Sequence, residues 1–163
     1  MATATPKRTP KSPRFDSREQ EAYLALWRTY DRLRSLEDDL FARWELTAQQ
    51  YNVLRLLRAS HPNAVPTLSL VARMVSRAPD VTRMLDKLEA AKWIARTRSP
   101  ADRRAVLVGL TDAGLKLLDQ IAEPLRACHE KQLGHLSSAQ LSSLIALLKA
   151  ARGPHETAES VWR

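Results

Sequence analysis

The stretch Pro79-Asp80-Val81-Thr82-Arg83-Met84-Leu85-Asp86-Lys87-Leu88-Glu89, continued after a short interval by Arg96-Thr97-Arg98-Ser99-Pro100-Ala101-Asp102-Arg103-Arg104-Ala105-Val106-Leu107-Val108-Gly109-Leu110-Thr111-Asp112-Ala113-Gly114, decides the fold. Its first part has a helical period. Val81, Met84, Leu85 and Leu88 recur at spacings of one, three and four and make an inward stripe, while Asp80, Arg83, Lys87 and Ala90 lie toward the outside. The helix is expected to run to about Lys92, where the period changes to two. Trp93 to Arg98 alternates weakly, Ala105 to Leu110 is rich in Val and Leu, and Ser99-Pro100-Ala101-Asp102 between them has turn chemistry. A helix followed by a β-hairpin with a basic tip is expected.

Working upstream, a short helix is expected over about Thr67 to Val75, carrying Leu68, Val71, Ala72 and Val75, with a turn at Ser76-Arg77. Two short helices joined by a tight turn, the second bearing Thr and Arg in its first turns, form a helix-turn-helix pattern. Pro62, Asn63 and Pro66 make the loop before it. Thr47-Ala48-Gln49-Gln50 fits a capping box and opens a helix whose apolar face is Val53, Leu54, Leu56 and Leu57. Residues 47–110 thus read as a winged helix-turn-helix. A long helix precedes it, within 17–46, with Leu26, Trp27, Tyr30, Leu33, Leu36, Leu40, Phe41 and Trp44 at helical spacing. Two helices follow it, within 111–152. Thr111 caps the first, which carries Leu118, Ile121, Leu125 and Cys128, with Pro124 inside it and a kink expected there. A second capping box, Ser137-Ser138-Ala139-Gln140, opens the last, with Leu141, Leu144, Ile145, Leu147 and Leu148. Residues 1–16 read as a disordered basic arm broken by three prolines, and residues 153–163 as a polar tail. The fold class is mainly α with a small β-hairpin wing. The flanking helices carry more apolar surface than a core of some 65 residues covers, so a homodimer is expected.

Composition narrows the function. The chain has 163 residues, one ordinary domain, with 44% apolar residues and a single cysteine. An intrachain disulfide is therefore excluded and a reducing, cytoplasmic compartment is expected. No apolar run approaches the roughly 18 residues that cross a bilayer, and the first fifteen residues lack the apolar core of a secretory signal. Net charge is +8, and it is localised. Residues 1–16 carry +3, residues 17–72 are balanced, residues 73–104 carry +5, and residues 105–163 are balanced. A localised excess points to an anionic partner, nucleic acid ahead of a membrane surface.

The quoted stretch resembles the MarR family of transcriptional regulators. Asp102, Arg104, Leu110, Thr111 and Gly114 match the family's wing signature in order, and Val81, Thr82, Arg83, Leu85, Asp86, Leu88 and Glu89 match its recognition-helix motif. The similarity spans about residues 20–150. There are departures. Pro79-Asp80 stands where many members have Ser-Thr, Lys92 where Gly is usual, and Trp93 where Leu is usual. A Lys at a left-handed position costs up to ~1 kcal/mol. The resemblance implies double-stranded DNA as partner and an interface of Arg77, Pro79, Asp80, Thr82, Arg83, Lys87, Arg96, Arg98, Asp102, Arg103 and Arg104. Thr82 and Arg83 suit base edges in the major groove. Arg77, Lys87, Arg96 and Arg98 suit phosphates, and Arg103 or Arg104 suits the minor groove. Asp80 is expected to hold a neighbouring Arg or to accept from cytosine. Asp102 is expected to pair with Arg98 or Arg104.

The resemblance also implies a homodimer and a small-molecule crevice. Trp27, Tyr30, Trp44, Tyr51 and His61 are the candidates for an aromatic or phenolic effector, against the plainer reading of ordinary core rings and a loop histidine. Cys128, mid-helix at an apolar position, reads as an inert thiol, because a redox sensor wants an exposed thiolate beside a cation. No cofactor, metal or catalytic residue is expected. There is no Gly-rich phosphate loop, no His-Glu-x-x-His and no Cys-x-x-Cys, and His61, His129, His135 and His155 form no helix-face pair. The alternatives are a sequence-tolerant, chromatin-like DNA binder and a winged-helix protein-interaction module.

Overall fold

A computed structural model describes residues 15–75, 80–102, 104–157 and 160. The basic arm up to residue 14, the Ser76-Arg77 turn, Pro79, Arg103 and, in the tail, residues 158–159 and 161–163 lie outside the described residues. The chain divides into two compact units, 1–34 and 35–163. The elements are α1 (Arg18–Phe41), α2 (Ala48–Arg58), β1 (Val65–Pro66), α3 (Thr67–Ala72), α4 (Val81–Ala90), β2 (Ile94–Arg98), β3 (Val106–Leu110), α5 (Asp112–Leu133) and α6 (Ser138–Arg152), with 3₁₀ turns at Ala42–Trp44 and Gly153–His155.

In the first unit, the start of α1 is capped by Ser17, whose hydroxyl accepts from the Gln20 amide at 3.1 Å. Glu19 and Glu21 occupy its first turn, where the macrodipole favours negative charge. Tyr23, Leu24, Leu26, Trp27 and Tyr30 are exposed, and the Tyr23 and Trp27 rings meet tilted at 6.2 Å.

The second unit is built around Leu54, Leu57, Leu70, Leu85, Leu88, Ile94, Val108 and Ile121, all buried. The helix starts follow the sequence. Thr47 accepts from the Gln50 amide at 3.2 Å while Gln50 accepts from the Thr47 amide at 2.8 Å. Ser137 and Gln140 repeat this reciprocal pair at 3.3 and 2.8 Å. Each box satisfies two amides that a helix start otherwise leaves unpaired. Pro124 lies inside α5 without ending it.

The wing differs from a plain hairpin. Its sheet has three strands in the order β1-β3-β2, both pairings antiparallel, with Val65 opposite Val108 and Ile94 opposite Leu110. A two-residue strand ending in proline carries no period that a sequence window can detect, which is why β1 is read as loop. Helix α3 is shorter than expected, and Leu68 is 84% exposed where it was expected in an apolar stripe. Leu68 and the buried Leu70 lie about 200° apart on a helix, so they cannot share a face. Val75 is likewise exposed. The tail after Arg152 is not wholly irregular, since Glu156 pairs with Arg152 at 3.2 Å and accepts from the Ser160 hydroxyl at 2.6 Å.

Helix α4 ends in a Schellman motif. The Trp93 amide bonds the Leu88 carbonyl at 3.1 Å and the Lys92 amide bonds the Glu89 carbonyl at 2.8 Å. Lys92 has φ 63°, the left-handed conformation anticipated at that position. Lys92→Gly is expected to raise stability by about 0.5–1 kcal/mol, a Tm gain of about 2 °C at this chain length. Thermal unfolding followed by circular dichroism checks it.

Candidate nucleic-acid interface

Helix α4 presents its polar side to solvent. Thr82, Arg83, Asp86 and Lys87 are exposed, while Met84, Leu85 and Leu88 anchor the other side in the core. Arg83 and Lys87 are four apart and share a face. Among the described residues Asp80 pairs with no guanidinium. It is the N-cap of α4, its carboxylate accepting from the Arg83 amide at 2.9 Å. This bond holds the first turn, which carries Thr82 and Arg83, in helical form.

The wing tip is tied by its own backbone. Ser99 and Ala105 close it through a 2.9 Å bond from the Ser99 amide to the Ala105 carbonyl. The Ala105 amide bonds the Asp102 carbonyl at 2.9 Å, and the Asp102 carboxylate accepts from the Arg104 amide, also at 2.9 Å. Asp102 therefore shapes the wing as expected, but through the main chain and not through a guanidinium. Arg98 and Arg104 are exposed, and among the described residues neither they nor Arg83 and Lys87 sit in an ion pair. A groove of about 300 Å³ lies between α4, the start of α3 and the wing, with Thr67, Leu68, Thr82, Arg96, Arg104 and Val106 among its lining. The Thr67 hydroxyl donates to the Val106 carbonyl at 3.0 Å and so ties α3 to β3.

Arg96, expected at the phosphates, has its guanidinium engaged by carboxylates of α4. Its Nε donates to Glu89 Oε2 at 2.9 Å, and its Nη2 donates to Glu89 Oε2 and to Asp86 Oδ1, each at 2.6 Å. Its side chain is 25% exposed. Because side chains alternate along a strand, Arg96 shares the face of buried Ile94, so its charge points back toward α4 and needs partners there. The guanidinium in turn holds the Glu89 carboxyl below its ordinary value.

The remaining signature residues lock α5 to this scaffold. Thr111 accepts from the Gly114 amide at 3.1 Å and donates to the Lys92 carbonyl at 2.7 Å. The Thr111 amide bonds the Trp93 carbonyl at 3.1 Å. Gly114 is buried against that same carbonyl.

The aromatic candidates divide. Trp44 and Tyr51 pack on the core of the second unit, and Tyr51 stacks on Phe41 with ring centres 4.8 Å apart. Burial pushes the Tyr51 phenol up. His61 is exposed in the α2–β1 loop. Trp27 and Tyr30 are exposed on α1 in the first unit. Burial, aided by the Glu37 carboxylate, pushes the half-buried Cys128 thiol up, which disfavours thiolate. Among the described residues, no group of three or more His, Cys, Asp and Glu is placed to hold a metal ion, and no helix is long and apolar enough to cross a membrane.

Sequence reading missed Asp86 and Glu89 as partners of Arg96, and Thr67, Leu68 and Val106 as lining of the groove between α4, α3 and the wing. The spacing of Ile94, Arg96 and Arg98 at every second residue was the available signal for Arg96.

The MarR family profile matches residues 46–106. The HTH-type transcriptional regulator PecS of Dickeya dadantii is 30% identical over 112 residues, covering 68% of each chain. A crystal structure of a MarR transcription factor from Planctomyces limnophilus is 54% identical, with a TM-score of 0.67 over 84% of this chain and 99% of that one. BpsR of Bordetella bronchiseptica, whose DNA binding is regulated by 6-hydroxynicotinic acid, is 27% identical with a TM-score of 0.71 over 80% of this chain and 98% of its own. These matches fit a chain whose α4 is capped, whose wing is shaped through Asp102 and whose α5 is locked by Leu110-Thr111-x-x-Gly114, and they show that the chain belongs to the MarR family of transcriptional regulators.

Proposed function

We propose that this protein is a homodimeric repressor that binds a pseudo-palindromic operator and releases it on binding a small aromatic effector. The observation that carries DNA recognition is the exposed set Thr82, Arg83 and Lys87 on α4 with Arg98 and Arg104 on the wing, cations left without ion pairs among the described residues. Thr82 and Arg83, on the first turn, meet base edges, with Arg83 forked onto guanine O6 and N7. Lys87, Arg98 and Arg104 neutralise phosphates and set the register.

The dimer reading is supported separately by each unit. Trp27 and Tyr30 on α1 are 60% and 59% exposed. No residue of α6 is buried, and Leu147 is 69% exposed. Apolar faces of this size are unfavourable in water and are expected to be covered by the second copy. Two-fold symmetry then places two α4 helices in successive major grooves, about one DNA turn apart. The effector reading is supported by the regulation of BpsR by an aromatic acid. By linkage, an effector that weakens DNA binding is itself weakened by DNA to the same degree.

A gel-shift titration with the duplex upstream of the protein's own coding sequence, at several salt concentrations, tests the proposal. Operator affinity is expected to exceed that for random duplex by about a thousandfold or more, with a dimer in sedimentation at micromolar protein. Equal affinity for random duplex would favour the chromatin-like alternative, and a monomer would remove the two-fold operator.

A further inference from the structure

Helix α4 and its cap carry three carboxylates, Asp80, Asp86 and Glu89, against two cations, Arg83 and Lys87. A rod with that balance enters a polyanionic groove unfavourably unless a further cation accompanies it. Asp80 is spent as the cap. The other two carboxylates converge on one side chain from another element. Arg96 uses three guanidinium N–H groups on them, and its main-chain amide adds a fourth bond, to Glu89 Oε1 at 3.1 Å. Its neighbours on the same strand face mark its position. Ile94 on one side is buried, and Arg98 on the other is exposed at the wing tip. Arg96 thus stands where the core gives way to the wing, and it is the only described residue paired with either carboxylate.

We infer that Arg96 is a positioning residue for DNA recognition, cancelling the negative charge of the recognition helix and bracing that helix against the wing without itself contacting DNA. The inference rests on α4 being the reading helix. It separates the cations of this segment into two kinds. Arg83, Lys87, Arg98 and Arg104 act on DNA, whereas Arg96 acts on Glu89 and Asp86. A lysine would substitute only in part, because its ammonium lacks the planar fork that spans Glu89 and Asp86 together.

Operator affinity measured by fluorescence anisotropy over a salt series, for wild type, Arg96→Gln, Glu89→Gln and the double variant, tests this. Wild-type binding to its operator comes first, and its failure would overturn the operator reading, not the role of Arg96. Arg96→Gln is expected to bind about tenfold more weakly, the loss of charged hydrogen bonds that orient the helix. Its salt slope is expected to stay at the wild-type value, whereas Arg104→Ala should lower the slope by about 0.9, one phosphate contact. The Glu89→Gln/Arg96→Gln variant is expected to return to within about threefold of Glu89→Gln alone, since Glu89, which takes most of the Arg96 bonds, is then uncharged, only the exposed Asp86 is left uncompensated, and the two changes are coupled. Arg96→Lys is expected to recover only part of the loss. A lowered salt slope for Arg96→Gln, undiminished affinity, or a loss that persists in the double variant would each overturn the inference. If Arg96→Gln alone fails to fold, the double variant carries the same decision against Glu89→Gln.

Discussion

Arg83→Ala is expected to lower operator affinity about ten- to a hundredfold and to relax specificity at one base pair of each half-site. A bidentate contact between a guanidinium and guanine is worth roughly 1–3 kcal/mol of discrimination, and about 1.4 kcal/mol is a factor of ten. The geometry supports placing the effect here. Arg83 lies on the first turn of α4, is exposed and has no ion pair among the described residues, and its amide is held by Asp80 at 2.9 Å. The fold should be untouched, because the buried side of the helix is Met84, Leu85 and Leu88. The measurement is a shift assay on the operator and on single-base variants. A uniform loss on all sequences, with a salt slope lowered by about 0.9, would instead make Arg83 a phosphate ligand.

Gly114→Ala is expected to destabilise the protein by about 2–3 kcal/mol, at the upper end of the usual cost of overpacking, with a Tm lower by about 5–10 °C. Helix propensity alone predicts the opposite sign, because Ala is favoured over Gly by up to ~1 kcal/mol inside a helix. Packing decides the outcome. A Cβ at position 114 would fall well inside van der Waals contact distance of the Trp93 carbonyl oxygen and 2.7 Å from Leu110 Cδ1. That carbonyl cannot retreat cheaply, since it accepts from the Thr111 amide and belongs to the turn that Thr111 also ties through Lys92. Gly153→Ala is the control. Nothing lies within 4 Å of a Cβ there, and a near-neutral effect is expected. Denaturant unfolding of both variants reads the difference.

Local chemistry explains why so much of this fold was legible. Capping boxes at Thr47 and Ser137, the cap at Thr111 and the 3.6-residue stripe of α4 all act over a few residues, so a sequence window contains the whole interaction. The change of period after Lys92 located the wing for the same reason. Where a partner is distant in the chain, the reading lost its grip. Strand β1 exists only because Val65 and Pro66 meet Val108 and Leu107, some 40 residues away. Arg96 looked like the other surface arginines until its fold partners, seven and ten residues back, were in place.

The order of the residues therefore determined which helices form, where each begins, that a wing follows the reading helix, and where the positive charge collects, because each of these depends on neighbours within a turn or two. The tertiary structure alone decided which of those cations are ion-paired and which are left exposed, and why position 114 must be glycine, because both depend on what α4, the wing and α5 bring within a few ångströms of one another.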